Sequence, residues 1–285
     1  MNRAEFSIRC RDHTLQLGRR SLLMGVVNVT PDSFSDGGWF SQTEQAIQQG
    51  ERLAAEGADL LDVGGESTRP FSEPISPQEE LRRVIPVISE LARRLTIPIS
   101  VDTCKASVAR AALDAGATMI NDISALRFDP DLVHLAAVQE VPIIVMHMLG
   151  TPGTMQIEPR YDSLLSQVVG FFEERLQLAC AAGVDRNRII IDPGIGFGKT
   201  VEHNLLLIKH LDALSMLGRP IALGTSRKSF IGAVLGKEVT EREPGTWATV
   251  CAGVIKGAHI LRVHEVATCR QLVDMVDAVE NAEFV

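Results

Sequence analysis

The 285-residue chain lacks any CxxC pair, and its five cysteines (Cys10, Cys104, Cys180, Cys251 and Cys269) are odd in number. That spacing points to neither a disulfide framework nor a zinc site. Basic residues are in deficit, 28 Lys and Arg against 36 Asp and Glu, for a formal net charge of −8. The deficit argues against a nucleic-acid partner recruited by overall basicity. No apolar stretch approaches membrane-spanning length: the longest, near Leu22–Val29 and Val141–Leu149, are far too short. The first dozen residues contain no apolar signal-peptide core, so a reducing cytoplasm is the expected compartment. Also missing are a Pro/Ser-rich linker and any low-complexity segment. What is present, 45% hydrophobic and 22% charged residues, fits a folded protein with a large core.

After a weak hairpin signal at Phe6–Gln16, short apolar runs alternate with amphipathic stretches. The runs are Leu22–Asn28, Leu60–Val63, Ile99–Val101, Met119–Asn121, Ile143–Met146, Ile189–Ile191, Ile221–Leu223 and Ile260–Val263. They read as parallel strands buried on both faces. Helical patterns lie between and after them: Thr43–Glu56, Ser76–Leu95, Ala106–Ala115, Asp131–Gln139, Leu164–Ala182, Val201–Leu217, Thr246–Lys256 and Thr268–Val279. Eight βα units without a linker predict one (β/α)8 TIM barrel over residues 22–285, with residues 1–21 as a short N-terminal extension packed on it. Periodicity alone does not show closure, and a doubly wound open sheet stands as the alternative.

Polar residues collect where the strands end. Asn28, the Gly64–Arg69 segment, Asp102, Asn121-Asp122, His147, Asp192, Ser226–Ser229, Arg262 and His264 follow the eight runs in order. In a barrel these ends converge on the face that holds the active site. Asp102, Asn121, Asp192 and Lys228 offer mixed acceptors and donors suited to the edge of a flat heterocycle. Arg69, Arg262 and His264, cationic or able to become so, suit a phosphate-bearing ligand. For Asp102, local sequence leaves a helix N-cap equally open. The segment Asp192–Thr200 imitates a phosphate-binding loop, but Gly194 and Gly198 are separated by three residues and not four. Its Phe197 could lie against a planar ligand or fill the core. His203 and His210 lack metalloprotease spacing and read as solvated, and His134 and His259 carry no partner signal. A Mg2+ ion held mainly by substrate phosphates would leave little trace.

The motifs are more specific than these physical arguments. Gly25-Val-Val-Asn-Val-Thr-Pro-Asp-Ser-Phe-Ser-Asp-Gly-Gly38 and Asp62-Val-Gly-Gly-Glu-Ser-Thr-Arg-Pro70 resemble the two signatures of the dihydropteroate synthase family. The likeness continues through Ser100–Thr103, Ile120–Asp122, Met146–Met148, Thr154–Gln156, Asp192–Lys199, Ser226–Ser229 and Arg262–His264. Leu149 and Glu265 depart from the usual pattern without touching a residue assigned to chemistry.

The resemblance implies condensation of p-aminobenzoate with 6-hydroxymethyl-7,8-dihydropterin diphosphate, giving dihydropteroate and diphosphate. It implies pterin binding by Asp102, Asn121, Asp192, Phe197 and Lys228. Diphosphate would be held by Asn28, Arg69, Arg262 and His264, with Asn28 also meeting Mg2+. Phe34, Thr68, Arg69, Pro70 and Ser229 would form the aminobenzoate pocket and its loops. Lys228, Asp102 and Arg262 are expected to carry the catalysis, and a homodimer through late helices is expected. A methyl-transferring pterin barrel would share the Asp and Asn positions but needs no diphosphate site. A catalytically silent pterin-binding paralogue is the other alternative.

Overall fold

The computed structural model describes residues 3–30, 38–70 and 72–283. Two short strands, β1 (Phe6–Cys10) and β2 (His13–Leu17), form an antiparallel hairpin. Eight parallel strands follow: β3 (Leu22–Asn28), β4 (Leu60–Gly64), β5 (Ile99–Asp102), β6 (Met119–Asp122), β7 (Ile143–Met146), β8 (Ile189–Asp192), β9 (Ala222–Leu223) and β10 (Ile260–Val263). Their order is β8-β7-β6-β5-β4-β3-β10-β9, and a parallel bridge between Ile191 and Ile221 joins the two ends. The sheet is therefore a closed barrel, and the open-sheet alternative falls.

Nine helices are described. The first six are α1 (Gly38–Ala55), α2 (Pro77–Arg94), α3 (Ala106–Asp114), α4 (Asp131–Gln139), α5 (Leu164–Ala181) and α6 (Val201–Lys209). Three more, α7 (Ser229–Leu235), α8 (Glu243–Ile255) and α9 (Val266–Glu280), complete the set. Two differ from the sequence reading. The Val201–Leu217 pattern is α6 followed by a 3-10 segment, Leu211–Leu217. The unit after β9 contains α7 as well as α8, with Gly236 ending α7 in the left-handed conformation.

Strand alternation explains the layering. Leu23, Leu61, Val63, Val101, Ile120, Val145, Ile191 and Leu261 join the main core between sheet and helices. Their neighbours Leu22, Met24, Leu60, Met119, Ile144, Ile190 and Ile260 form a second cluster inside the barrel, capped by Ile8, Cys10, Leu15 and Leu17 of the hairpin. Carrying that period of two upward turns Asn28, Asp62, Asp102, Asn121, Asp192 and Arg262 inward, above this apolar floor.

The hairpin is tied to the barrel floor by polar bonds. Arg3 donates to Asp277 at 3.0 Å and to Ala258 O at 2.7 Å. His259 has partners, contrary to the sequence reading: Nδ1 accepts from Ile221 N at 3.1 Å, and Nε2 faces Ala4 O at 3.1 Å. This fixes a neutral tautomer with the proton on Nε2.

Candidate active site

Four of the inward residues, Asp62, Asp102, Asn121 and Arg262, meet in one connected network. Asp62, fully buried at the middle of β4, accepts from Arg262 Nε at 2.6 Å, from Asn121 Nδ2 at 3.0 Å and from the Ser100 hydroxyl. The second arm of Arg262 donates to Asp102 at 3.0 Å. Asp102 is not a helix cap, because Lys105 occupies the N-cap of α3 and makes no side-chain cap bond. Burial, then the neighbouring Asp62 charge, holds Asp102 well above the ordinary carboxylate range, and Arg262 pulls it back down. Asp122 accepts from Ser124 N and Leu126 N and fastens the turn after β6.

On the β8 side, Asp192 accepts from Gly194 N at 2.7 Å. Burial pushes Asp192 up to about 6, against the lowering effect of Gly194 N–H, Lys228, Arg262 and Lys199. Lys228, at the N-cap of α7, sets its ammonium 4.0 Å from the centre of the Phe197 ring. Phe197 is itself nearly buried among Ile123, Met146, Met148 and Met155. It thus packs into an apolar cluster and also presents a face to Lys228. Burial first, and Arg262 second, hold Lys228 down at about 8.

His264 Nδ1 lies 2.9 Å from Ser226 Oγ. Its imidazole is held down to about 3, by burial first and then by Arg262, Arg227, Lys228 and Arg69. At neutral pH this leaves it an uncharged donor or acceptor. Arg262 is likewise engaged by two carboxylates. Less uncommitted positive charge remains than the sequence suggested. Beside Ser226, Arg227 adopts a left-handed conformation (φ 59°) held by Thr246 Oγ1, Arg242 and Glu243. Those three contacts keep an uncommon backbone in place next to Lys228.

Asn28 ends β3 half-buried, next to Val29, whose N–H donates to Gly64 O at 2.8 Å. Thr68, Arg69 and Pro70 follow β4 and run from half-buried to exposed, while Ser229 opens α7 at the surface. Phe34 lies outside the described residues. The β4 loop is anchored at its base: Arg83 donates to Gly65 O at 2.9 Å, and Lys105 bridges Glu66 to the fully buried Glu80. Sequence reasoning missed Asp62 and Lys105. The signal for Asp62 was an acid inside the apolar run Leu60–Val63, where burial demands a partner. His203, expected to be solvated, closes a capping box with Thr200 and packs edge-on against Tyr161.

Among the described residues, no group of three or more His, Cys, Asp or Glu side chains is placed to hold a metal. The donor type at Asn28 fits Mg2+, a hard cation that keeps its waters and takes few protein oxygens when phosphate supplies the rest.

Residues 24–264 match the family described as pterin binding enzyme. A dihydropteroate synthase of Synechocystis sp. is 47% identical over 92% of this chain and 91% of its own. A solved structure of Xanthomonas albilineans dihydropteroate synthase with 4-aminobenzoic acid superposes with a TM-score of 0.92, at 45% identity over 98% of this chain and 100% of that one. The same enzyme in complex with 7,8-dihydropteroate gives 0.88 at 43% identity, over 97% of this chain and 100% of that one. The chain belongs to the dihydropteroate synthase family of pterin-binding enzymes.

Proposed function

We propose that this chain joins p-aminobenzoate to 6-hydroxymethyl-7,8-dihydropterin diphosphate, releasing diphosphate and forming 7,8-dihydropteroate. The observation that carries the reading is the convergence of Asp192, Asn121, Asp102 and Lys228 at one barrel end, with the Phe197 ring beside Lys228. The acceptors Asp192, Asp102 and the Asn121 amide oxygen suit the amino and ring N–H groups of a pterin, and Lys228 suits its oxygen and ring nitrogens. Asn121 is oriented by its bond to Asp62, so its amide oxygen is left for the ligand.

The C–O bond to diphosphate breaks as the exocyclic methylene develops cationic character, and the aniline nitrogen then forms the new C–N bond and loses a proton. Buried carboxylates beneath the ring favour that developing positive charge. On the other side, Arg69, the outer face of Arg262, His264 and Ser226 receive the departing anion. Asn28 would hold Mg2+, which when bound neutralises diphosphate charge. The β4 loop with Thr68, Arg69 and Pro70, together with Ser229, lines the approach for aminobenzoate and positions its amine.

Exposed Val234, Leu235, Ile255, Met275 and Val279 on α7, α8 and α9 support a homodimer through these helices. The five cysteines stand as free thiols, which supports a reducing, cytoplasmic setting. Calorimetry with 6-hydroxymethylpterin tests the site. Asp192→Ala is expected to lose affinity by about tenfold or more, because pterin donors are left unpaired. Unchanged affinity would remove Asp192 from the pterin subsite and overturn this reading.

A further inference from the structure

Lys199 is almost fully buried, yet among the described residues no carboxylate lies within hydrogen-bonding distance of its ammonium. Its three contacts are His147 Nδ1 at 2.9 Å, Phe197 O at 2.9 Å and His147 O at 3.3 Å. An ammonium has three N–H donors and no acceptor, so the three contacts match its full capacity. Burial holds Lys199 down at about 7, and the opposing carboxylate, Asp192, acts from beyond hydrogen-bond reach; a buried cation so weakly compensated is costly and needs a reason beyond packing.

The surroundings supply one. Lys199 ends the Gly194–Gly198 turn, which follows Asp192 and carries Phe197. That turn is also held by Asn204 Oδ1, accepting from Gly196 N at 2.7 Å, by Gln156 Nε2 donating to Gly196 O at 2.9 Å, and by Tyr161 OH donating to Gly198 O at 2.8 Å. Gly194 approaches β7 so closely that a Cβ there would fall 2.0 Å from His147 O, the carbonyl that Lys199 also engages.

Resting on the pterin reading above, we propose that Lys199 is a positioning residue for the pterin subsite. Its buried ammonium holds the Gly194–Gly198 turn against the end of β7 and supplies positive potential that keeps Asp192 an acceptor. The charged groups facing Asp192 are Lys228 from the start of α7, Arg262 from β10 and Lys199 from its own loop. Facing Lys199 are Asp192, Lys228 and the imidazole of His147. His147 is kept neutral by burial and by Lys199 and Arg127, so it adds no competing charge at neutral pH. The charges facing Asp102 are Asp62, Arg262, Lys228, Glu80 and Asp122, which leaves a Lys199 substitution to report on Asp192.

The test is the affinity of the full chain for 6-hydroxymethylpterin from pH 5 to pH 8, in wild type, Lys199→Met and Lys199→Arg, with thermal melts alongside. Removing the cation disfavours the Asp192 carboxylate, so the acid midpoint of binding should move up by about half a unit or more in Lys199→Met. In Lys199→Arg, which keeps the charge, the midpoint should stay put while affinity falls through the altered tether. If Lys199→Met fails to fold, Lys199→Gln makes the same comparison with a neutral donor. A neutral variant that melts early but keeps the wild-type midpoint would make Lys199 structural only and overturn the inference. Wild-type protein that binds no pterin would overturn the functional reading and this inference together.

Discussion

Replacing Asp62 by Asn keeps the shape of the side chain and removes its charge at the centre of the network. The carboxylate takes three bonds, from the Arg262 guanidinium, the Asn121 amide and the Ser100 hydroxyl. The substitution loses one charge-assisted bond and points a new amide N–H at one of the remaining donors. Arg262 retains Asp102, so the full cost of breaking a buried pair does not apply. The expected loss is about 2 to 4 kcal/mol in unfolding free energy, measured by urea denaturation. A second readout has a definite sign. The Asp62 charge is one cause of the raised pKa of Asp102, so removing it lets Asp102 ionise more easily. The acid limb of pterin binding should move to lower pH, opposite to the shift expected for Lys199→Met. A loss below about 1 kcal/mol, or an acid limb that moves upward, would refute the network as the organiser of this site.

Other substitutions probe separate parts of the account. Lys105→Met should raise KM for aminobenzoate by about threefold or more with pterin affinity nearly unchanged, because it frees the base of the β4 loop; calorimetry and steady-state kinetics would show the split. Gly194→Ala, which combines φ +67° with a Cβ 2.0 Å from a carbonyl oxygen, should abolish measurable pterin binding. At the barrel floor, burial holds His259 down at about 4. The unfolded chain therefore binds the extra proton below its ordinary value near 6.5, and this contribution is present at neutral pH and lost as pH falls towards 4. The swing is about 3 kcal/mol, and His259→Asn, which keeps an acceptor for Ile221 N, should flatten the urea midpoint over that range.

The sequence made the strand ends legible because alternation in a parallel barrel leaves little freedom. Once Leu22, Leu60 and Met119 face inward, Asn28, Asp62 and Asn121 must follow on the same face. Closure was not legible, since it rests on the Ile191–Ile221 bridge, whose partner strand β9 is only two residues long. Helix α7 was hidden for a similar reason: seven residues give little periodicity, although Gly236 marked its end. Charge was the least legible. Arg262 and His264 read as cationic or able to become so; the fold spends the guanidinium on Asp62 and Asp102, and burial among other cations keeps the imidazole neutral. Pairing of that kind depends on contacts across 160 and 200 residues of chain, which no local pattern contains.

The most direct test is turnover. Purified protein given 6-hydroxymethyl-7,8-dihydropterin diphosphate, p-aminobenzoate and Mg2+ should form dihydropteroate and diphosphate in equal amounts, followed chromatographically. Protein that binds the pterin but forms no dihydropteroate would contradict the account and identify a silent pterin-binding paralogue.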